Sequence, residues 1–429
     1  MKIFVTIYEE TCEAAIDVIR ALPAEHDGVE VRAEKFPSID LQAIRAATGK
    51  PIILTYRGSP VPDVDAALNA GIDLVDVEWR EGIEVQRADR TVISHHDYEG
   101  MRGVEMIMKK MKALGCAHTK LAATPRNFAD NRRLLDLLGG AVQASGLPSS
   151  SERQAGGLHH TVIGMGERGL YSRILAPFRG SELAFVAANN VAAPGQLTLE
   201  RAREIYWPVE AKKVFAVVGN PAGHSLSPVI HNRLFREKNV PAAYTIASIA
   251  SFAEIKSAFF GGEPCGLSVT APFKEDAFRF AINPAPNAQR ARAVNTLVNF
   301  GGWVIADNTD VDGFAALIDG TKAAVVGAGA TSRAALVALE DRGIPATVYN
   351  RRVAKGDAPL DALRHFDGDL IINTLPAGVD VDIPPCRVYI EAAYGGERRE
   401  VKCDRHITGL ELLQAQAVRQ HELFMKVFE

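Results

Sequence analysis

Lys120 closes the short run Ala117-His118-Thr119-Lys120-Leu121-Ala122, which follows a run ending Ser94-His95-His96-Asp97-Tyr98. If the two runs are neighbouring strands, an amine and an imidazole stand side by side at their carboxyl ends. An uncharged lysine attacks a ketone and forms an iminium, which acidifies the adjoining carbon. Burial beside arginine and histidine charge favours the uncharged amine. His96 is placed to remove the acidified proton and later to protonate a departing hydroxide. The parts are those of a Schiff-base dehydration.

A second set of parts lies downstream. Gly219-Asn220-Pro221-Ala222-Gly223-His224-Ser225-Leu226-Ser227-Pro228 leaves a strand and opens a helix, and Ser225 and Ser227 offer two hydroxyls to a carboxylate near a helix amino terminus. Ser268-Val269-Thr270-Ala271-Pro272-Phe273-Lys274 follows, then Asn295 and Asp310. Asp310 can keep Lys274 oriented and charged, so that Lys274 protonates an alkoxide formed by hydride attack. The turn Gly327-Ala328-Gly329-Ala330-Thr331 lies between a strand and a helix, where a dinucleotide pyrophosphate sits. The next strand ends in Asn350-Arg351-Arg352. An acidic residue there would bind the ribose hydroxyl of NAD, whereas arginines suit the 2′-phosphate of NADP.

Positioning these groups requires two kinds of α/β fold. Residues 1–207 hold eight apolar runs alternating with helical stretches, beginning near Lys2, Val29, Pro51, Leu74, Thr91, His118, Thr161 and Leu183. That is the pattern of a small (β/α)8 barrel, the TIM barrel, whose strand ends converge on one mouth. The mouth then receives Glu30, Arg32, Arg57, His96, Lys120, Arg173 and Gln196. Such a concavity suits a small polyhydroxylated carboxylate: an arginine grips the carboxylate, and Glu30 and Gln196 hold hydroxyls. The Glu-x-Arg pattern recurs at Glu78-Trp79-Arg80, and His159-His160 reads as structural because adjacent strand residues face opposite sides. Residues 208–213 read as a linker. A two-lobed α/β dehydrogenase follows, with a substrate lobe at 214–318 plus 405–429 and a Rossmann-type nucleotide lobe at 319–404. The last helix, about Leu410 to Val427, is expected to return to the substrate lobe.

Bulk properties narrow the classes. A net charge of −4 gives no case for nucleic acid or an acidic membrane as partner. Five scattered cysteines without a CxxC pair favour reduced thiols over disulfides and suggest no metal. The expectation is a cytoplasmic protein without signal peptide or membrane span.

The stretches Glu30-Val31-Arg32, Ile53-Leu54-Thr55-Tyr56-Arg57, Ser94-His95-His96, Lys120-Leu121-Ala122, Met165-Gly166-Glu167 through Arg173, and Ala193-Pro194-Gly195-Gln196 together resemble type I 3-dehydroquinate dehydratases. The resemblance implies Lys120 as Schiff-base former and His96 as general acid and base. Two departures stand out: Gly58-Ser59-Pro60 replaces an acidic Glu-Gly-Gly loop, and Ala192 replaces a serine. From Val214 onward the chain resembles shikimate dehydrogenases, most specifically in the Ser225 turn, Asn295, Asp310 and Gly409-Leu410-Glu411-Leu412-Leu413-Gln414-Ala415-Gln416. This implies substrate contacts from Ser225, Ser227, Thr270, Lys274, Asn295, Asp310, Tyr394 and Gln416. It implies NADP contacts from Gly327, Ala328, Gly329, Ala330, Thr331, Asn350, Arg351, Arg352 and Gly409. Ser268 replaces the usual asparagine, and Tyr394-Gly395-Gly396-Glu397 replaces a proline-bearing segment.

The two resemblances are consecutive steps of one pathway. The expectation is a bifunctional enzyme that dehydrates 3-dehydroquinate to 3-dehydroshikimate and reduces that to shikimate with NADPH. The alternative is an active dehydrogenase fused to an impaired, regulatory barrel.

Overall fold

The computed structural model describes residues 1–36, 38–58, 63–139, 159–395 and 400–429. The chain divides into two compact units: Met1–Lys213 with Phe235–Ala250, and Val214–Leu234 with Ser251–Glu429.

The first unit is built on eight parallel strands: β1 (Lys2–Ile7), β2 (Gly28–Arg32), β3 (Ile52–Thr55), β4 (Leu74–Glu78), β5 (Thr91–Asp97), β6 (His118–Ala123), β7 (His159–Gly164) and β8 (Leu183–Ala187). Their order is β7-β6-β5-β4-β3-β2-β1-β8, so the sheet curls into a nearly closed barrel. The strands are short and apolar because both faces are covered; Ile52, Ile53 and Leu54 of β3 are all buried. Strands β7 and β8 end the order and meet sparingly: Glu182 N donates to His160 O at 3.0 Å, and Leu183 N to Thr161 Oγ1 at 3.2 Å. Side-chain caps start several outer helices, with Asp40, Asp63, Asn127 and Thr198 each accepting from a backbone N–H in the first turn. Gly164 is needed for close approach: a Cβ there would lie 2.2 Å from the Gly169 carbonyl oxygen. This contact seats the helix Leu170–Leu175, which carries Arg173, against the end of β7. Strand β10 (Ala242–Ser248) also belongs to this unit, with Thr245 Oγ1 donating to Tyr171 O at 3.0 Å.

The second unit contains two sheets. In the first, β9 (Lys213–Gly219) runs parallel to β11 (Gly266–Val269), which pairs antiparallel with β12 (Thr296–Phe300), itself antiparallel to β13 (Trp303–Asp307). The second sheet is parallel, in the order β16-β15-β14-β17-β18-β19. Its strands are β14 (Ala323–Val326), β15 (Ala346–Asn350), β16 (Ala358–Pro359), β17 (Leu370–Asn373), β18 (Cys386–Glu391) and β19 (Cys403–Ile407). The core Val325, Ile372 and Val388 packs against Ala334 and Ala338 of the helix Ala330–Asp341. The closing helix Gly409–Met425 starts with a capping box in which Thr408 and Glu411 satisfy each other's backbone N–H. It returns to the first sheet, where Phe424 meets the Phe215 ring at 4.8 Å. Among the described residues no helix is long and apolar enough to cross a membrane.

Candidate functional site

Two sites emerge, one in each unit. In the barrel, alternate residues of each strand face the interior, and the last of these meet at the carboxyl ends. One pocket is lined by Glu30, Arg32, Arg57, His96, Lys120, Arg173 and Gln196, all expected there, and also by Thr6, Tyr98, Phe185 and Ala192.

Lys120 is 4% exposed and lies between two carboxylates, Glu30 Oε1 at 2.7 Å and Asp76 Oδ2 at 3.1 Å. Its ammonium stands 3.9 Å from the centre of the Phe185 ring. The arginines and the histidine expected near it share its pocket, but the groups in direct contact are two acids, which hold it by ion pairs. The acids come from β2 and β4, which turn their inward side chains toward β6 across the narrow barrel. Glu30 also accepts from Thr6 Oγ1 at 2.8 Å and Thr55 Oγ1 at 3.1 Å. Burial pushes its carboxyl up, but Lys120 and Arg32 outweigh that and bring it down to about 2. Asp76 is lowered as well, by Lys120 and Arg57 against its burial.

His96 belongs to a second cluster around Glu78. Its Nδ1 lies 2.8 Å from Glu78 Oε2, and its backbone N–H donates to Glu78 Oε1 at 2.8 Å. Arg57 Nη1 donates to the same carboxylate at 2.6 Å. Nδ1 lies 2.8 Å from both Glu78 Oε2, which accepts, and Arg57 Nη1, which only donates; with the proton on Nδ1 given to Glu78, Nε2 keeps a lone pair, the form a base needs. Burial lowers the imidazole to about 4; Glu78 opposes this and Arg57 adds to it. Glu78 itself falls to about 2, held down by His96 and Arg57 against its burial. The Tyr98 ring stacks on His96 at 6.0 Å.

Arg173 differs from the other arginines. Arg32 pairs with Glu34, and Arg57 with Glu78. Arg173 is buried, donates from Nε to the Gly164 carbonyl at 2.8 Å, and among the described residues meets no carboxylate. Burial pulls its guanidinium down to about 10. Gln196 Nε2 donates to Thr6 Oγ1 at 3.0 Å, and its Oε1 accepts from Ala192 N at 3.0 Å, so backbone takes up part of the amide. Gly58 is described, but Ser59 and Pro60 of the altered loop lie outside the described residues.

In the second unit, strands β9, β11 and β13 end, and β12 begins, at one edge of the sheet. Their register brings Ser225, Ser227, Ser268, Thr270, Lys274, Asn295 and Asp310 around one pocket, which Thr331, Tyr394, Gly409, Gln416 and Gln420 complete. Lys274 Nζ donates to Asp310 Oδ2 at 2.5 Å and lies 3.4 Å from Thr331 Oγ1. The lysine therefore touches both its acid partner and the glycine turn. Asn295 Nδ2 donates to Asp310 Oδ1 at 2.9 Å, which fixes the carboxylate from its other side. Thr309 Oγ1 donates to Gln416 Oε1 at 2.8 Å. Ser225 Oγ donates to Ser227 Oγ at 3.2 Å. Gly396 and Glu397, beyond Tyr394, lie outside the described residues.

The glycine turn follows β14 directly. Gly327 has φ +103°, a left-handed conformation that glycine adopts at little cost. Space is open beside Gly329, where a Cβ would meet nothing within 4 Å. Ala330 and Thr331 start the next helix, while Gly329 N donates to Ser332 Oγ at 3.2 Å. The adjacent parallel strand β15 ends at Asn350, so Asn350, Arg351 and Arg352 stand beside the turn, with both arginines exposed. Open backbone, a helix amino terminus and two exposed guanidinium groups fit a phosphorylated dinucleotide. Ala328 adjoins this turn, whereas Gly409 lies on the substrate side with Tyr394.

Sequence reasoning missed Asp76, Glu78, Phe185 and Gln420. The signal for the first two was present: Asp76 and Glu78 are alternate residues at the carboxyl end of β4, so both face the mouth. Taking Glu78-Trp79-Arg80 only as a recurrence of the Glu-x-Arg pattern hid this. Gln420 sits one helical turn after Gln416, on the same face. It accepts from Ser268 Oγ at 2.6 Å, so the serine replacing the usual asparagine has its own partner.

Comparisons with known proteins agree with this division. Residues 3–212 match the type I 3-dehydroquinase family model, and residues 217–297 match the shikimate dehydrogenase substrate binding domain model. The chain is 29% identical over 421 residues to the pentafunctional AROM polypeptide of Lachancea thermotolerans, which covers 87% of this chain and 25% of that protein. It is 26% identical over 436 residues to the bifunctional 3-dehydroquinate dehydratase/shikimate dehydrogenase of Arabidopsis thaliana, covering 86% of this chain and 70% of that protein. The chain thus spans about a quarter of the length of the AROM relatives. Among solved structures, dehydroquinate dehydratase and shikimate dehydrogenase from S. pombe AroM is similar at 22% identity and a TM-score of 0.40, covering 100% of this chain and 98% of that one. Shikimate 5-dehydrogenase from Thermus thermophilus, solved with NADP(H) and shikimate, aligns to 49% of this chain and 92% of that one, at 26% identity and a TM-score of 0.44.

Proposed function

We infer two successive reactions for a chain that belongs to the type I 3-dehydroquinase family over residues 3–212 and to the shikimate dehydrogenase family over residues 217–297. The first unit dehydrates 3-dehydroquinate to 3-dehydroshikimate. The second reduces 3-dehydroshikimate to shikimate with NADPH.

The observation that carries the first reading is Arg173, a buried guanidinium with no carboxylate partner among the described residues, in one pocket with Lys120 and His96. A substrate carboxylate completes it. Hydroxyls of the same substrate compete for Glu30 and Gln196, which draws Glu30 away from Lys120 and frees the amine to act. Lys120 passes its proton to the Asp76 carboxylate still in contact with it, and Nζ then attacks the ketone carbon, whose oxygen leaves as water, giving an iminium. His96 Nε2 takes a proton from the neighbouring carbon and returns it to the hydroxyl group departing from the next one, so water is lost and a double bond forms. Hydrolysis of the iminium releases the product and restores Lys120. Glu78 keeps the imidazole turned with Nε2 toward the substrate. Arg32 and Arg57 complete the positive rim of the pocket.

In the second unit, NADPH supplies a hydride when bound. Gly327, Ala328, Gly329, Ala330 and Thr331 would hold its pyrophosphate, and Asn350, Arg351 and Arg352 its 2′-phosphate. Lys274 protonates the substrate oxygen as the hydride arrives, and Asp310 holds Lys274 in place. Ser225 and Ser227 hold the carboxylate, while Thr270, Asn295, Tyr394 and Gln416 hold the ring hydroxyls. We assign the nucleotide lobe to residues 319–404 and the substrate lobe to 214–318 with 405–429, less Phe235–Ala250, which group with the first unit.

The deciding experiment mixes the purified chain with 3-dehydroquinate and NADPH and follows nicotinamide absorbance. Oxidation of NADPH without a second enzyme is expected. Oxidation only when 3-dehydroshikimate is supplied would refute the dehydratase assignment.

A further inference from the structure

The cysteines are scattered in the sequence, but the second sheet of the second unit brings two together. Cys386 opens β18 and Cys403 opens β19, and the parallel register sets them directly opposite each other. The bond from Cys386 N to Lys402 O, at 3.1 Å, fixes that register. Neighbouring strands lie about 4.8 Å apart, which falls inside the Cα separation of about 4.4–6.8 Å that a disulfide needs. Both side chains lie on one face, because both pack against the cluster of Tyr349, Ile371 and Tyr389. Cys12, Cys116 and Cys265 are buried, whereas Cys386 and Cys403 are partly exposed, so a small reagent reaches these two first.

We propose that Cys386 and Cys403 form a reversible dithiol–disulfide site that takes a small disulfide as oxidant, and that oxidation staples the edge strand β19 to β18. With a disulfide oxidant, one thiolate attacks it and releases a small thiol. The second cysteine then displaces the other small thiol and closes the internal bridge. Two electrons pass to the oxidant, which leaves as two thiols carrying the two protons. Directly facing strand positions hold their Cβ atoms slightly farther apart than an unstrained bridge prefers, so this disulfide is easily reduced again. Burial pushes the Cys386 thiol up to about 11, with Cys403 and Asp404 adding to the shift. Bridge formation is therefore slow at neutral pH and accelerates as pH rises toward that value. The staple lies at the opening end of both strands. Their far ends run into Tyr394 and Gly409, which line the substrate pocket. Oxidation thus restrains the strands that lead into those residues without touching the pocket itself.

The test treats the full chain with oxidised glutathione at mildly alkaline pH, followed by thiol titration under denaturing conditions and non-reducing peptide mapping. Two of the five thiols should disappear, the Cys386 and Cys403 peptides should be cross-linked, and dithiothreitol should restore both. Amide exchange in residues 403–407 should slow by about tenfold or more. Cys386→Ser and Cys403→Ser should each stop at a mixed disulfide with glutathione on the remaining cysteine. A persistent mixed disulfide in the unaltered chain, a cross-link between other cysteines, five surviving thiols, or unchanged exchange in 403–407 would each overturn the proposal. Testing both serine variants keeps the result readable if one of them folds poorly.

Discussion

Each unit is organised around a lysine, and the two are held in opposite ways. Lys120 is 4% exposed and locked between two carboxylates. Lys274 is 14% exposed, has a single carboxylate partner in Asp310, and faces the nucleotide turn. In the proposed reactions the nucleophile would thus be stored under a latch that substrate must open, whereas the proton donor would have a single acid partner and no latch. The nature of the residue does not separate the two chemistries; the number of acids around it and their freedom to turn elsewhere do.

The strongest way to break this comparison is Lys120→Ala. It should lower dehydration by on the order of 10⁴-fold or more, since no other amine reaches the ketone, and leave shikimate oxidation unchanged. Steady-state assays of the two half-reactions check this; loss of both would show that the two sites are not separable. Asp310→Asn should lower dehydrogenase kcat by about 10²-fold with little change in the KM for shikimate, because the lysine loses its orienting partner. Dehydration by the same variant should be normal. Arg351→Ala should raise the KM for NADP by about 10- to 100-fold, the loss of one charge-assisted contact of ~1.5–3 kcal/mol, and hardly alter that for NAD. Equal effects on both cofactors would remove the phosphate role.

The finest test concerns His96. Dehydration needs the imidazole neutral, so activity should fall as pH drops through its lowered value of about 4. Glu78 holds that value up and Arg57 holds it down. Glu78→Gln should therefore move the acid limb of kcat/KM to lower pH, and Arg57→Gln should move it to higher pH. Shifts of the same sign would contradict the assigned electrostatics. Acid also attacks the fold at this site. Glu30 and Glu78 are each brought down to about 2, below an unfolded value near 4.5. Their contribution to stability is present above pH ~4.5 and is lost as pH falls from there toward 2.

Much of this was legible in the sequence. The eight barrel strands begin within a residue or two of the apolar runs, because strands covered on both faces must be continuous apolar stretches. Every residue expected at the barrel mouth lines that pocket, Lys120 from within β6, Arg173 from the helix after β7 and Gln196 from the segment after β8. What stayed hidden was pairing across the barrel. Strand spacing places Asp76 at the mouth, but not its approach to Lys120 Nζ, which depends on the barrel's curvature. The grouping of Phe235–Ala250 with the first unit was equally hidden, as no linker or composition change marks it. Cys386 and Cys403 teach the same lesson: sequence separation says little about neighbours in a parallel sheet.

The sparse junction between β7 and β8 has a consequence for handling the protein. A fully hydrogen-bonded barrel offers no strand edge, but this one keeps two, turned toward each other and hidden only while the cylinder stays shut. Gentle heating should part them before the rest of the barrel melts, exposing edges able to pair with another chain. Turbidity on warming should then depend steeply on protein concentration, and a ligand that clamps Arg173 beside β7 should delay it.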